Sequence, residues 1–208
     1  SVLIGNPVRE SILQLPDLAQ RSAERTGGLR VLVMGGSLGA TALNQSLPDC
    51  FAETTRQGQR LSIRHQTGQK DLDAVRQRYG QLGLDADCTA FIRDMDAAYA
   101  WADLVICRAG ASTVTEVAAA GLPAVFVPLP SAIDDHQTAN ARYLADHEAG
   151  WLIRQSDLKT ASDIQSNVLV QRLVSLRREI CIQVGTRARE RAMRDAAHQA
   201  AQQVVQAV

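Results

Sequence analysis

The hydrophobic pattern settles into a rhythm after residue 28. Short apolar runs alternate with stretches in which apolar residues recur every three or four positions. The runs are Leu29–Met34, Leu61–His65, Cys88–Ile92, Leu104–Cys107, Ala124–Pro128 and Trp151–Ile153. The helical patterns between them cover Ala40–Thr54, Gln69–Leu82, Met95–Trp101, Thr113–Ala120 and Asp135–His147. Strand and helix in alternation imply βα units and a parallel sheet. Most runs are uninterrupted, as in strands covered by helices on both faces. The expected fold is α/β: a Rossmann-like, doubly wound parallel sheet of about six strands. No strand signal remains beyond Ser156, where Ser162–Leu176 and Cys181–Val205 read as carboxyl-terminal helices.

Composition narrows the class. Of 208 residues, 46% are hydrophobic but only 4% aromatic, so aliphatic side chains must fill the core. Lys plus Arg (22) balance Asp plus Glu (22), which leaves no global field to attract nucleic acid. Cys50, Cys88, Cys107 and Cys181 are scattered at no metal-ligand or redox spacing and read as reduced thiols. No apolar run approaches the roughly 18 residues of a membrane span, and no signal peptide is legible. Residues 1–9, with the turn Gly5-Asn6-Pro7, read as the interior of a longer chain.

In a sheet of this kind ligands bind at the loops that follow the strands. Two such loops carry glycine and lead into helices. Gly35-Gly36-Ser37-Leu38-Gly39-Ala40 allows close backbone approach and ends at a helix start with free N–H groups, which suits a phosphate. Its glycine order is wrong for a dinucleotide fingerprint, and the second strand ends in Arg64-His65-Gln66-Thr67-Gly68 rather than in the acidic residue that fingerprint wants for a ribose. The same string matches the nucleophile elbow of a serine hydrolase, with Ser37 as nucleophile and Asp103 and His136 following in the expected order. Against that, no earlier strand supplies the other oxyanion donor.

The second loop, Arg108-Ala109-Gly110-Ala111-Ser112-Thr113-Val114-Thr115-Glu116, offers another anion-ready helix start. Thr113 and Glu116 also have capping-box spacing. Glu116 therefore either caps its own helix or accepts hydrogen bonds from a ribose diol, and spacing alone leaves the two level. Gln137 and Asn140 lie three apart and share a helix face, where neutral amides suit sugar hydroxyls. Together the loops and amides suggest a nucleotide sugar. A nucleotide-binding module with another ligand remains open.

These motifs, in this order and spacing, resemble the MurG family of peptidoglycan N-acetylglucosaminyltransferases. Further matches are Gly5-Asn6-Pro7-Val8-Arg9, His65-Gln66-Thr67-Gly68, Phe91-Ile92-Arg93-Asp94-Met95, Ala98-Tyr99-Ala100-Trp101-Ala102-Asp103, Ala119-Ala120-Gly121-Leu122-Pro123 and Asp135-His136-Gln137-Thr138-Ala139-Asn140-Ala141. Leu38 departs from the family, which often has glutamine there. The resemblance implies the carboxyl-terminal, donor-binding half of a GT-B glycosyltransferase. It divides the chain into an interdomain connector and leading polar segment (1–28), a donor-binding core (29–155) and carboxyl-terminal helices (156–208).

By resemblance, Arg9 contacts the donor, Ser37 the diphosphate, and the Ile92 backbone the uracil edge. Ala111, Ser112, Thr113, Val114, Thr115 and Glu116 form the phosphate loop, with Glu116 on the ribose. Gln137 and Asn140 face N-acetylglucosamine. The implied donor is UDP-N-acetylglucosamine and the acceptor a lipid-linked muramyl-pentapeptide. No cofactor or metal is implied, and the catalytic base belongs to the other half. The whole protein is expected in the cytoplasm, peripheral on the inner membrane. His65 reads as a structural histidine. Ala197, Ala201, Val204, Val205 and Val208 form an apolar stripe, and Arg187, Arg189, Arg191 and Arg194 read as a solvated face.

Overall fold

The structure is a computed structural model that describes residues 6–35, 40–130, 135–158 and 164–192. Two short helices lead, α1 (Glu10–Leu13) and α2 (Leu18–Ser22). Five βα units follow: β1 (Leu29–Met34), α3 (Thr41–Arg56), β2 (Leu61–Gln66), α4 (Leu72–Gln81), β3 (Ala86–Thr89), α5 (Met95–Trp101), β4 (Leu104–Cys107), α6 (Ala111–Ala119), β5 (Ala124–Phe126) and α7 (His136–Ala145). A short strand, β6 (Trp151–Leu152), completes the sheet, and α8 (Val168–Ser175) and α9 (Arg178–Glu190) close the described chain.

The six strands are all parallel, in the order β3-β2-β1-β4-β5-β6. This is the doubly wound α/β arrangement expected from the alternating pattern. The strand order reverses between β1 and β4, so a crevice opens at their carboxyl ends. Met34 pairs with Cys107, so β1 and β4 end side by side at that crevice. Every residue of β4 and β5 is buried, which explains their unbroken apolar runs.

One core includes residues from the leading, central and trailing segments. Ile12 and Leu18 join Val31, Val33, Ile106 and Phe126 from the strands and Leu169, Leu173, Cys181 and Ala188 from α8 and α9. Helix α9 lies against α6 closely enough that a Cβ on Gly185 would come within 2.4 Å of the Gly121 carbonyl oxygen. Gly121 itself holds φ +63, a left-handed turn that glycine adopts freely.

A buried charge cluster joins these segments at the amino end of the sheet. Asp103, just before β4, is fully buried. Its Oδ1 accepts from Arg25 Nη1 at 2.5 Å, and its Oδ2 accepts from Arg178 Nη2 at 3.2 Å and the Arg30 backbone N–H at 3.0 Å. Arg25 also donates to the carbonyls of Ala100 and Ala102, and Arg178 to those of Arg25 and Gly28. Two arginines and one carboxylate so bind the leading segment, β1, α5, β4 and α9 together.

Several boundaries differ from the sequence expectation. The third strand is Ala86–Thr89, not Cys88–Ile92, because Phe91 and Ile92 are loop residues and Phe91 is 54% exposed. The helix expected over Ser162–Leu176 begins at Val168, where Asn167 Oδ1 accepts from the Leu169 and Val170 N–H groups. Helix α9 starts at Arg178, three residues before the expected Cys181. Arg187 and Arg189 do not form a simple solvated face, since they donate to the carbonyls of Glu148 and Leu15. The apolar stripe from Ala197 to Val208, and Arg194, lie outside the described residues.

Removing one partner of a buried pair leaves the others desolvated and unpaired. Asp103→Ala is therefore expected to cost about 3–5 kcal/mol of unfolding free energy, read by urea denaturation. A cost below about 1 kcal/mol would show that the cluster does not hold these segments together.

Candidate functional site

The site is assembled at the carboxyl ends of β1, β3, β4 and β5. Helix α6 begins at Ala111 with Gly110 as its N-cap, and the first intrahelical bond joins Val114 N–H to Gly110 O. The amides of Ala111, Ser112 and Thr113 thus occupy the first turn, where they have no intrahelical acceptor. Together with the helix dipole they form an anion-binding end.

This start point excludes one of the two readings that spacing left level, the capping box. Thr113 lies inside the helix rather than at its N-cap, so Thr113 and Glu116 do not form a capping box. Glu116 Oε2 instead accepts from the Tyr99 hydroxyl at 3.0 Å, and Oε1 lies 3.6 Å from Arg9 Nη2. The Glu116 side chain keeps 23% exposure and Arg9 53%, so the pair lies at the surface. Arg9 is positioned by its place as N-cap of α1, which packs on α5 and α6.

The helix divides the expected phosphate loop between two faces. Ser112 and Glu116, four apart, share one side. Ala111, Val114 and Thr115 line a groove of about 480 Å3 with Ala139, Asn140 and Tyr143 of α7. The Thr115 hydroxyl donates back to Ala111 O at 2.9 Å. Asn140 Nδ2 donates to Ala109 O at 3.0 Å, and Gln137 Oε1 accepts from Leu129 N–H at 3.0 Å. Both amides are thereby oriented against the loops after β4 and β5. Arg108 stiffens the same region by donating to Val127 O, Pro128 O and Gln155 Oε1. Its guanidinium is half-buried, and burial lowers its pKa.

Ile92 lies in the loop between β3 and α5, outside any strand or helix ladder. It lines a cavity of about 400 Å3 with Phe91, Gln66, Thr89 and Asp94. Asp94 caps α5 through Ala97 N–H at 2.9 Å, which fixes the far end of that loop. Ser37 lies outside the described residues. The glycine loop's supports are visible, however. Asn44 on α3 donates through Nδ2 to Thr67 O (2.9 Å) and Asp71 Oδ2 (2.8 Å), tying the helix after the first glycine loop to the loop after β2.

His65 completes that network and is 1% exposed. Asn44 spends its NH2 on Thr67 and Asp71, so its Oδ1 must accept from His65 Nε2–H at 3.0 Å. His65 Nδ1 then accepts from the Tyr79 hydroxyl at 2.9 Å. Both ring nitrogens are satisfied below the surface, the structural role expected for this histidine. Nothing among the described residues supports the serine-hydrolase constellation. Asp103 lies just before β4, level with Arg30 and roughly 16 Å of strand rise from Gly35, and is engaged by two arginines. Among the described residues no group of three or more His, Cys, Asp or Glu could hold a metal ion. All four cysteines are free and buried, and burial raises each thiol pKa.

A parallel sheet with an anion-ready helix at its switch point, a surface carboxylate beside it and oriented amides nearby defines a doubly wound α/β domain with a polar crevice at its carboxyl edge. Residues 30–203 match the model of the glycosyltransferase family 28 C-terminal domain, and the chain belongs to this family. Among curated relatives, the UDP-N-acetylglucosamine--N-acetylmuramyl-(pentapeptide) pyrophosphoryl-undecaprenol N-acetylglucosamine transferase of Bordetella parapertussis is 57% identical over 155 residues. That match covers 74% of this chain and 43% of the relative. The protein of the same name from Alcanivorax borkumensis is 50% identical over 198 residues, covering 95% and 54%. The chain spans about half the length of the curated relatives it matches. The crystal structure of Acinetobacter baumannii MurG superposes with a TM-score of 0.84 at 39% identity, over 97% of this chain and 57% of that one. The calicheamicin glycosyltransferase CalG4, 18% identical with a TM-score of 0.57 over 88% of this chain and 44% of that one, shares the fold.

The buried histidine gives a pH prediction. Burial pushes the His65 pKa from 6.5 down to about 3, so the folded state holds the ring neutral while the unfolded chain takes up a proton. The stability this group supports is whole above pH 6.5 and is lost as pH falls from 6.5 toward 3. Its share of the slope is about 1.4 kcal/mol per pH unit. Urea unfolding of His65→Gln at several pH values should show a correspondingly flatter dependence, and an unchanged slope would contradict the assignment.

Proposed function

We propose that this chain is the donor-binding half of an inverting N-acetylglucosaminyltransferase of peptidoglycan synthesis, and that alone it binds UDP-N-acetylglucosamine without transferring the sugar. The observation that carries this reading is Glu116. It stands on the helix whose first-turn amides are open to an anion, yet takes no part in capping that helix. A carboxylate and a helix start so placed suit a ribose and a diphosphate joined in one molecule. The activity named for the curated relatives supports the choice of nucleotide and sugar.

In this reading the α6 amides and Arg9 hold the diphosphate, with Ser37 adding a contact from the first glycine loop. Glu116 accepts from the ribose diol, and the Ile92 backbone meets the uracil edge. Gln137 Nε2 and Asn140 Oδ1, the halves of those amides not spent on Leu129 and Ala109, face the N-acetylglucosamine. Transfer displaces UDP at the anomeric carbon with inversion. Negative charge grows on the leaving diphosphate, where preorganised amides and an arginine stabilise it more than they stabilise the ground state. The base that deprotonates the acceptor hydroxyl, and the site for the lipid-linked muramyl-pentapeptide, belong to the other half of the enzyme. The whole enzyme works in the cytoplasm at the inner membrane surface, where its lipid-linked acceptor is held. Among the described residues no helix is long and apolar enough to cross a membrane.

Two measurements test this. Calorimetric titration of the chain should give binding of UDP-N-acetylglucosamine and UDP, with ADP and NAD much weaker. Glu116→Ala should weaken UDP binding on the order of tenfold, as for loss of a charge-assisted hydrogen bond. Unchanged affinity would remove Glu116 from the site. Incubation with donor and lipid-linked acceptor should yield no product from this chain alone, because only one reactant is held. Detected transfer would overturn the assignment of the base to the other half.

A further inference from the structure

Glu116 is held from beneath by a residue to which the sequence motifs assign no role. Tyr99, in the last turns of α5, is 1% exposed, and its hydroxyl donates to Glu116 Oε2 at 3.0 Å. A carboxylate only accepts and a phenol has a single hydrogen, so the direction of this bond is fixed. Burial, with Glu116 alongside, keeps the Tyr99 pKa well above its ordinary value, and the hydroxyl remains a donor.

The phenol is itself firmly mounted. Asp94 caps the start of α5, and Arg25 Nη2 donates to Ala100 O near its end. A glutamate on an open helix face samples several rotamers, and ordering it on binding weakens a ligand's net gain. Tyr99 holds one carboxylate oxygen in advance. The other, Oε1, faces Arg9 at 3.6 Å, a contact whose arginine is 53% exposed and free to be shared or displaced.

We propose that Tyr99 is a positioning residue for ribose recognition: by binding Glu116 Oε2 it presents Oε1 to the ribose hydroxyls of a uridine diphosphate donor. This rests on the reading of Glu116 as the ribose acceptor. Tyr99 does not touch the nucleotide; it acts through Glu116.

The test is discrimination between UDP and dUDP, which lacks the 2′-hydroxyl, measured calorimetrically on this chain. Wild type is expected to favour UDP on the order of tenfold. Tyr99→Phe keeps the ring and removes only the hydroxyl. It should cut that preference to within about twofold by weakening UDP more than dUDP, which keeps the 3′-hydroxyl, and it should have no further effect in a Glu116→Ala background. If Tyr99 merely packs the core, Tyr99→Phe will weaken UDP and dUDP equally or not at all, and the preference will persist, which overturns the proposal. Should Tyr99→Phe unfold the chain, Glu116→Gln replaces it. Glu116→Gln keeps the shape but halves the acceptor capacity, and a UDP preference that survives it overturns the proposal. Wild type that binds UDP and dUDP equally removes the ribose role. Wild type that binds neither removes the donor reading itself.

Discussion

A single buried carboxylate organises this domain. Asp103 sits at the amino end of the sheet, where two guanidinium groups and a backbone N–H converge on its two oxygens. Burying three charges carries a desolvation cost that only close, well-aligned pairing offsets. Here each arginine also satisfies backbone carbonyls at segment ends, so the cluster serves as a joint as well as an ion pair. It fixes where the leading segment, α5 and α9 lie on the sheet, and from that follows much of the opposite edge.

The connection between the two edges runs through α5. Arg25 grips the end of that helix at the amino edge, while Tyr99 on the same helix reaches Glu116 near the carboxyl edge. At the crevice itself, neighbouring strands β1 and β4 end side by side. The loops after β4 and β5 are cross-braced by Arg108, Gln137 and Asn140. Preorganisation of this kind lowers the ordering cost of binding and supports recognition of a ligand with charged and neutral parts. The buried Asn44–His65–Tyr79 chain does the same for the helix that follows the first glycine loop.

Much of the sheet was legible in the sequence because both faces are covered. Leu104–Cys107 and Ala124–Phe126 are apolar without interruption, and the alternation with helices could only mean a parallel arrangement. The misplacement of β3 has a physical cause. Phe91 and Ile92 are apolar but belong to a loop beside the candidate site, and they drew the expected strand past its true end at Thr89. Thr113 and Glu116 show the converse problem. Their spacing fits a capping box, yet the helix is capped three residues before Thr113, at Gly110.

By itself, the sequence determined the α/β class, most strands of the central sheet, the two glycine loops, a buried structural histidine and, through its motifs, the glycosyltransferase family. These depend on local composition and periodicity. Tertiary structure decided what depends on residues far apart in the chain. Asp103 meets Arg25 and Arg178 across 78 and 75 residues, and Tyr99 meets Glu116 across two elements. It also turned Asp103 away from any catalytic constellation and converted arginines of α9 from an expected solvated face into carbonyl clamps. Pairings of this kind leave no periodic signal, because what selects them is burial of charge against charge, and burial exists only once the chain has closed.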